Sequence, residues 1–142
     1  MPRSYPRARH LFLLVAGLYL GACSKAPVSP EAAKAELLVG HWELTQTDGG
    51  PTGGLQPAAP AEKHELVFTS NKATFIRNGV ATASSTYSLF QANSYVNRCP
   101  QTFLAYGRRS GQEKEFIERI SPTELVIVED YANGLGYYYT RR

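Results

Sequence analysis

Two histidines stand beside glutamates in this 142-residue chain. His41 is two residues before Glu43, and His64 directly precedes Glu65. Imidazole and carboxylate together suggest a divalent metal, and His41 and Glu43 share a face if the segment is extended. A protein zinc site takes three or four ordered ligands. Two histidines without a third ligand fall short of that, and both read as belonging to an outer, wet face, so no metal ligand is assigned. Cys99 lies in "VNRCPQ" beside Arg98, a cation that favours the thiolate. It has no C-x-x-C partner, so it reads as a structural thiol or as one half of an intermolecular disulfide.

Other catalytic patterns are weaker still. Ser, His and Asp all occur, but G-x-S-x-G does not. Glu129 and Asp130 are adjacent, so in a strand they point to opposite faces and cannot act as paired carboxylates. Gly49-Gly50 and Gly53-Gly54 have no helix behind them, which removes the usual phosphate cradle. No catalytic residue and no cofactor is assigned, and the reading is of a protein that is not an enzyme.

Tyrosines are the more telling feature. Tyr87, Tyr95, Tyr106, Tyr131, Tyr137, Tyr138 and Tyr139 gather in the later part of the chain. In an extended segment Leu135, Tyr137 and Tyr139 share one face and Tyr138 takes the other. A cavity lined by such rings, with Tyr137, Tyr139, Phe68 and Phe116 as its candidate walls, would suit a small hydrophobic or amphipathic ligand oriented by the hydroxyls. The alternative is a small barrel whose interior is filled by its own side chains.

The elements that must position these residues are short strands. "HWELTQT" alternates, with Trp42, Leu44 and Gln46 on one face. "HELVFTS", "ATFIRN", "ATASSTYSLF", "SYVNRC", "TFLAYGR", "KEFIERI", "ELVIVEDY" and "LGYYYTR" follow, separated mostly by hairpin-length links. Asn78-Gly79 is the strongest hairpin signal, since both residues tolerate positive φ. Such a meander predicts an all-β fold, an antiparallel up-and-down barrel of about eight strands that leaves no free edge. The exception is "GGPTGGLQPAAPAEK" at 49–63, longer than an ordinary connection. It is either a lid over a barrel mouth or a plain surface loop.

The N-terminus carries an address. "MPRSYPRARH" has three arginines and no acid, and the apolar run from Leu11 to Ala22 is twelve residues long. A bilayer-spanning helix needs about 20; the apolar region of a secretory signal needs roughly 7–15. Leu20-Gly21-Ala22-Cys23 resembles the lipobox of bacterial lipoproteins. That resemblance implies cleavage after residue 22 and a diacylglyceryl group on the Cys23 thiol, so that acyl chains hold the protein on a membrane. Removing the three arginines of 1–22 from 15 basic residues leaves 12 against 12 acidic, a net charge of zero. The basic isoelectric point near 8.9 therefore belongs to the signal and gives no reason to expect nucleic-acid binding. Residues 23–36, small, polar and proline-bearing, read as a tether. A short helix can start there, with Ser29 as cap and Pro30 in the first turn. One domain, 37–142, remains.

Gly40-His41-Trp42 at the first strand and Arg141 at the last are similar to the structural signature of the lipocalin superfamily. There a Gly-x-Trp tryptophan plugs the closed end and an arginine from the last strand packs over it. Together with "LLVGHWELTQ", "ELVFTSNKATFIRNG" and "ELVIVEDYANGLGYYYTR", the chain looks like the small lipocalin-like lipoproteins of Bacteroidetes-type bacteria. The resemblance implies barrel closure by Trp42 and Arg141. Cation–π attraction makes the same pair sensible on physical grounds alone. Ser24, in place of the aspartate that retains lipoproteins at the inner membrane, favours the outer membrane, facing the periplasm. The expectation is a lipid-anchored envelope protein. Its partner is either a small hydrophobic or amphipathic ligand inside the barrel, or another envelope component docked on the outer Tyr and Val surface of "LVIVEDYANGLGYYY".

Overall fold

The computed structural model describes residues 29–50, 53–107 and 115–142. The signal, the lipobox and Cys23 lie outside the described residues.

A helix opens the ordered chain. In α1 (Pro30–Leu38), Ser29 accepts the Ala32 N–H at 3.2 Å, Pro30 takes the first position, where no donor is needed, and Glu31 sits in the first turn. The helix joins the folded body at once. Leu38 is fully buried, and Lys34 Nζ donates to the Ile117 carbonyl. A tether ending at residue 36 would cut through this helix.

Nine strands follow: β1 (Gly40–Gly49), β2 (Gln56–Pro57), β3 (His64–Phe68), β4 (Lys72–Arg77), β5 (Val80–Asn93), β6 (Pro100–Tyr106), β7 (Glu115–Ile120), β8 (Glu124–Glu129) and β9 (Leu135–Arg141). Each pairs antiparallel with its neighbour from β3 to β9, and β1 pairs with both β3 and β9. The result is a closed, eight-stranded, up-and-down antiparallel barrel of the lipocalin-like kind, with β2 as a short addition. Closure rests on β1 and β9, paired from Trp42↔Arg141 to Gly49↔Leu135. Asn78 and Gly79 take φ of 51° and 78°, turning β4 into β5 as their side chains allow.

Directly paired antiparallel residues share a face, so register decides what lies inside. Trp42, Leu66, Phe68, Ala73, Leu104, Ile117, Leu125 and Ile127 form the inner core with Leu38. Four local expectations change. A bulge between Leu44 and Gln46 lets Tyr139 pair with Leu44 and Tyr138 with Gln46. Gln46 therefore leaves the Trp42 face, and Thr47, opposite Tyr137, replaces it. Phe116 pairs with Val128 and Phe103, one step off the inner Ile117–Ile127 row, so it lies on the outer face. There it joins Phe90 and Phe103, with ring centroids 5.6 and 5.7 Å apart along the row. His64 pairs with Arg77 on the Leu66 side, not on the outer face with His41. Finally, 94–99 is no strand. Ser94 caps a single helical turn, with its Oγ 2.9 Å from the Asn97 N–H and its carbonyl 3.1 Å from the Arg98 N–H. Buried Asp130 accepts from the Ser94 hydroxyl and from the Tyr95 and Val96 N–H groups at 2.5–3.0 Å. Those amides are satisfied by a carboxylate, so no strand partner is needed.

The long 49–63 connection is partly built in. Gln46↔Pro57 and Thr47↔Gln56 pair, and the Ala58 N–H reaches the Thr45 carbonyl at 2.8 Å. β2 thus occupies the half of the β1 edge that β3, paired only at Gly40–Glu43, leaves open.

Candidate functional site

The two ends of the barrel are built differently. At the closed end the indole of Trp42 is fully buried and donates to the Leu38 carbonyl at 2.8 Å. The Arg141 guanidinium lies 4.2 Å from the indole centroid. It also donates to the Val39 carbonyl at 2.8 Å and to that of Leu37. One side chain from the last strand therefore ties together the first strand and the carbonyls that α1 leaves unpaired at its C-terminus. Gly40 is required here. Its φ is +151°, and a Cβ would fall 2.1 Å from Arg141 Nη1.

At the mouth the interior is not filled. A cavity of about 530 Å³ opens there, lined by Leu66, Phe75 and Tyr139 within, Ala83 and Thr82 on β5, and His64 and Arg77 at the rim. The cause is side-chain volume on β5. Its inner positions toward the closed end are Tyr87 and Leu89, which pack against the core. Toward the mouth the position opposite Phe75 is Ala83, and the position opposite Ala73 is Ser85. The Phe75 ring stands edge-on to Tyr106 at 5.3 Å and walls the space on one side. Burial raises the phenols of Tyr106 and Tyr139 above their ordinary value, so both stay neutral hydroxyl donors at any physiological pH.

Charge is divided around the rim. On the β3–β4 side Glu62 holds Arg77 at 2.5 Å and His64 at 3.4 Å. Hydrogen bonding to Arg77 first, and to His64 second, lowers the Glu62 carboxyl. Across the barrel, Glu129 accepts from the Tyr137 hydroxyl at 2.9 Å, from the Leu135 N–H at 2.8 Å and from the Tyr131 hydroxyl. Burial acts to raise its carboxyl, and these three bonds together outweigh burial and leave it lowered. Tyr137 is raised by burial and then by Glu129.

Of the four sequence-nominated ligand contacts, only Tyr139 lines this cavity. Tyr137 is engaged with Glu129. Phe68 belongs to the filled half, edge-on to Tyr87 at 5.1 Å. Phe116 is outside the barrel. Leu66, Phe75, Arg77 and Ala83 were missed. The available signal was the small-residue run Ala81–Ser85, set opposite a strand carrying Phe75.

His41 Nε2 stands 2.9 Å from Glu65 Oε1 on the outer wall, but is skewed from hydrogen-bond alignment. Lys63 holds the same carboxylate at 2.7 Å. Among the described residues no three His, Cys, Asp or Glu side chains converge as a metal site. Cys99 is exposed, with Gln101 Nε2 3.3 Å from its sulfur. On the outer Tyr and Val surface, Val126 is buried and only Tyr131 is widely exposed.

Comparison with protein-family models, with curated proteins and with solved structures returns no match.

Proposed function

We propose that the mature chain is a lipid-anchored protein of the bacterial envelope, similar to lipocalin-like lipoproteins, and that its barrel mouth holds a small amphipathic molecule. The carrying observation is the 530 Å³ cavity with its mixed lining. Leu66, Phe75 and Tyr139 offer apolar surface to the body of a ligand, and His64 and Arg77 offer donors to its polar head. Ligand pockets span about 300–1,000 Å³, and this space falls within that range. Support for the anchor is the basic n-region, the twelve-residue apolar run and Leu20-Gly21-Ala22-Cys23. The absence of an aspartate after Cys23 supports an outer-membrane, periplasm-facing location.

The test is native mass spectrometry on residues 24–142, exported and purified without detergent. The expected result is a reproducible extra mass that Ala83→Trp removes by filling the cavity, with the fold retained. A bare polypeptide mass, together with anilinonaphthalene sulfonate binding that is unchanged by Ala83→Trp, would sink the ligand reading. The anchor is tested separately: acyl mass on the full-length product, lost in Cys23→Ala.

A further inference from the structure

The exposed large apolar side chains are not scattered evenly. Phe90, Tyr95 and Val96, at 38%, 57% and 47% exposure, fall within seven residues of one another, at the end of β5 and in the turn that follows. Phe90 stacks on buried Phe103. Tyr95 and Val96 are held by their backbone N–H groups on Asp130, so Tyr131, also exposed, follows directly on the residue that grips them. The Arg98 guanidinium lies 4.7 Å from the Tyr95 ring. Tyrosine, phenylalanine and valine with an adjacent cation make up the composition that partitions into the headgroup layer of a bilayer. Because Asp130 fixes the turn, presenting these side chains costs little further ordering.

The tether says which way this surface faces. The chain enters the fold at Ser29, and Ser29, Glu31 and Ala32 line a groove with Ser88 and Leu89. Ser88 and Leu89 immediately precede Phe90 on β5, so the entry point lies along the stretch of strand that carries Phe90. From Cys23 to Ser29 the chain can stretch at most about 20 Å. An acylated Cys23 therefore keeps the bilayer within reach of Phe90. The mature chain has no net charge to hold it there by long-range attraction, which leaves the task to inserted side chains.

We propose that the β5–β6 turn, with Phe90, Tyr95 and Val96, seats in the interfacial layer of the membrane that holds the acyl chains of Cys23. The surface is a lipid-docking face that sets the orientation of the barrel. This rests on the anchor reading above and is independent of whether the mouth binds a ligand.

The experiment uses the full acylated protein in vesicles of phosphatidylethanolamine and phosphatidylglycerol containing brominated lipid. Tryptophan is placed singly at Tyr95, at Val96 or at Val80, the last being 66% exposed at the start of β5, just after the β4–β5 turn. Native Trp42 is buried and gives a constant background. Expected is about three-fold stronger quenching for Tyr95→Trp and Val96→Trp than for Val80→Trp. Equal quenching at the three sites, on protein whose acyl mass is verified, overturns the docking face and leaves that surface to a protein partner. If the acyl mass is absent, the anchor reading fails and the docking face falls with it. The two failures are thus separate readings of one sample.

Discussion

The closed end and the mouth of this barrel use the same strands for opposite purposes. At the closed end β1, β9 and α1 converge on Trp42, and Arg141 serves the indole face and two carbonyls at once. At the mouth β1 and β3 part, β2 fills the edge between them, and Ala83 faces Phe75 where a larger residue would close the space. One end is dense because each large side chain has a fixed polar partner or a packed neighbour. The other is hollow because small residues occupy the inner row of β5. Stability should therefore reside in the first end, and adaptability in the second.

The sharpest way to break this contrast is to truncate one aromatic at each end. Trp42→Ala should cost about 3–5 kcal/mol in urea unfolding, because it removes a fully buried ring and its hydrogen bond. Phe75→Ala, half-buried beside an existing cavity, should cost about 1–2 kcal/mol, mostly the transfer of its exposed-to-buried area. Equal costs would mean that the mouth is as tightly built as the base.

Gly40→Ala comes next. It places a Cβ on the Arg141 guanidinium and asks a non-glycine residue to hold positive φ, at about 1–3 kcal/mol. In the Arg141→Ala background the steric part should vanish while the φ part stays, so a double-mutant cycle reads the coupling directly. Arg141→Lys should cost about 1 kcal/mol, since an ammonium cannot lie flat on the indole and serve both the Val39 and Leu37 carbonyls.

A pH series sharpens the account of the mouth. Glu129 is lowered below its ordinary 4.5 in the folded state. Its stabilisation is therefore present above pH 4.5 and is lost as the pH falls through the lower folded value. Glu129→Gln should be less stable than wild type at neutral pH, with the gap in urea midpoint closing in acid. A gap that persists unchanged in acid would show that the residue acts by packing alone. The smallest effect is expected from Ala83→Trp, within about 1 kcal/mol of wild type, because the added ring enters vacant space and not a packed core. The same substitution should remove ligand binding, so this position separates stability from function.

Much of the architecture is written in short β-prone segments set off by turn residues. β1 alternates at Trp42 and Leu44, and β3, β4, β7, β8 and β9 each fall on a short apolar or aromatic run bounded by turn residues such as Asn78-Gly79, Ser121-Pro122 and Asn133-Gly134. The Trp42–Arg141 pair was legible as well, through the resemblance of Gly40-His41-Trp42 and Arg141 to the lipocalin signature, and cation–π attraction between the first and last strands agrees with it. Other features depend on residues distant in sequence. Tyr95 and Val96 have the composition of a strand, yet Asp130, 34 and 35 positions away, captures their amides. Phe116 alternates correctly, but its face depends on whether Ile117 or Phe116 meets the inner row of β8, and a one-residue slip reverses the answer. The bulge at Thr45 does the same to Gln46. The candidate site suffered most, since Tyr137 and Phe68 are as aromatic as Tyr139 and only packing tells them apart.

From the sequence by itself came a closed antiparallel meander of about eight strands, the capped helix at Ser29, the hairpin at Asn78-Gly79, and the residues that meet at barrel closure. These are local in origin, or follow from a closed meander having one seam. Tertiary structure alone decided which face each bulged strand turns inward, that α1 belongs to the folded body, and that the interior is filled at one end and open at the other. Those outcomes depend on register between strands and on the summed volume of side chains from different strands. Neither quantity exists until the strands are paired.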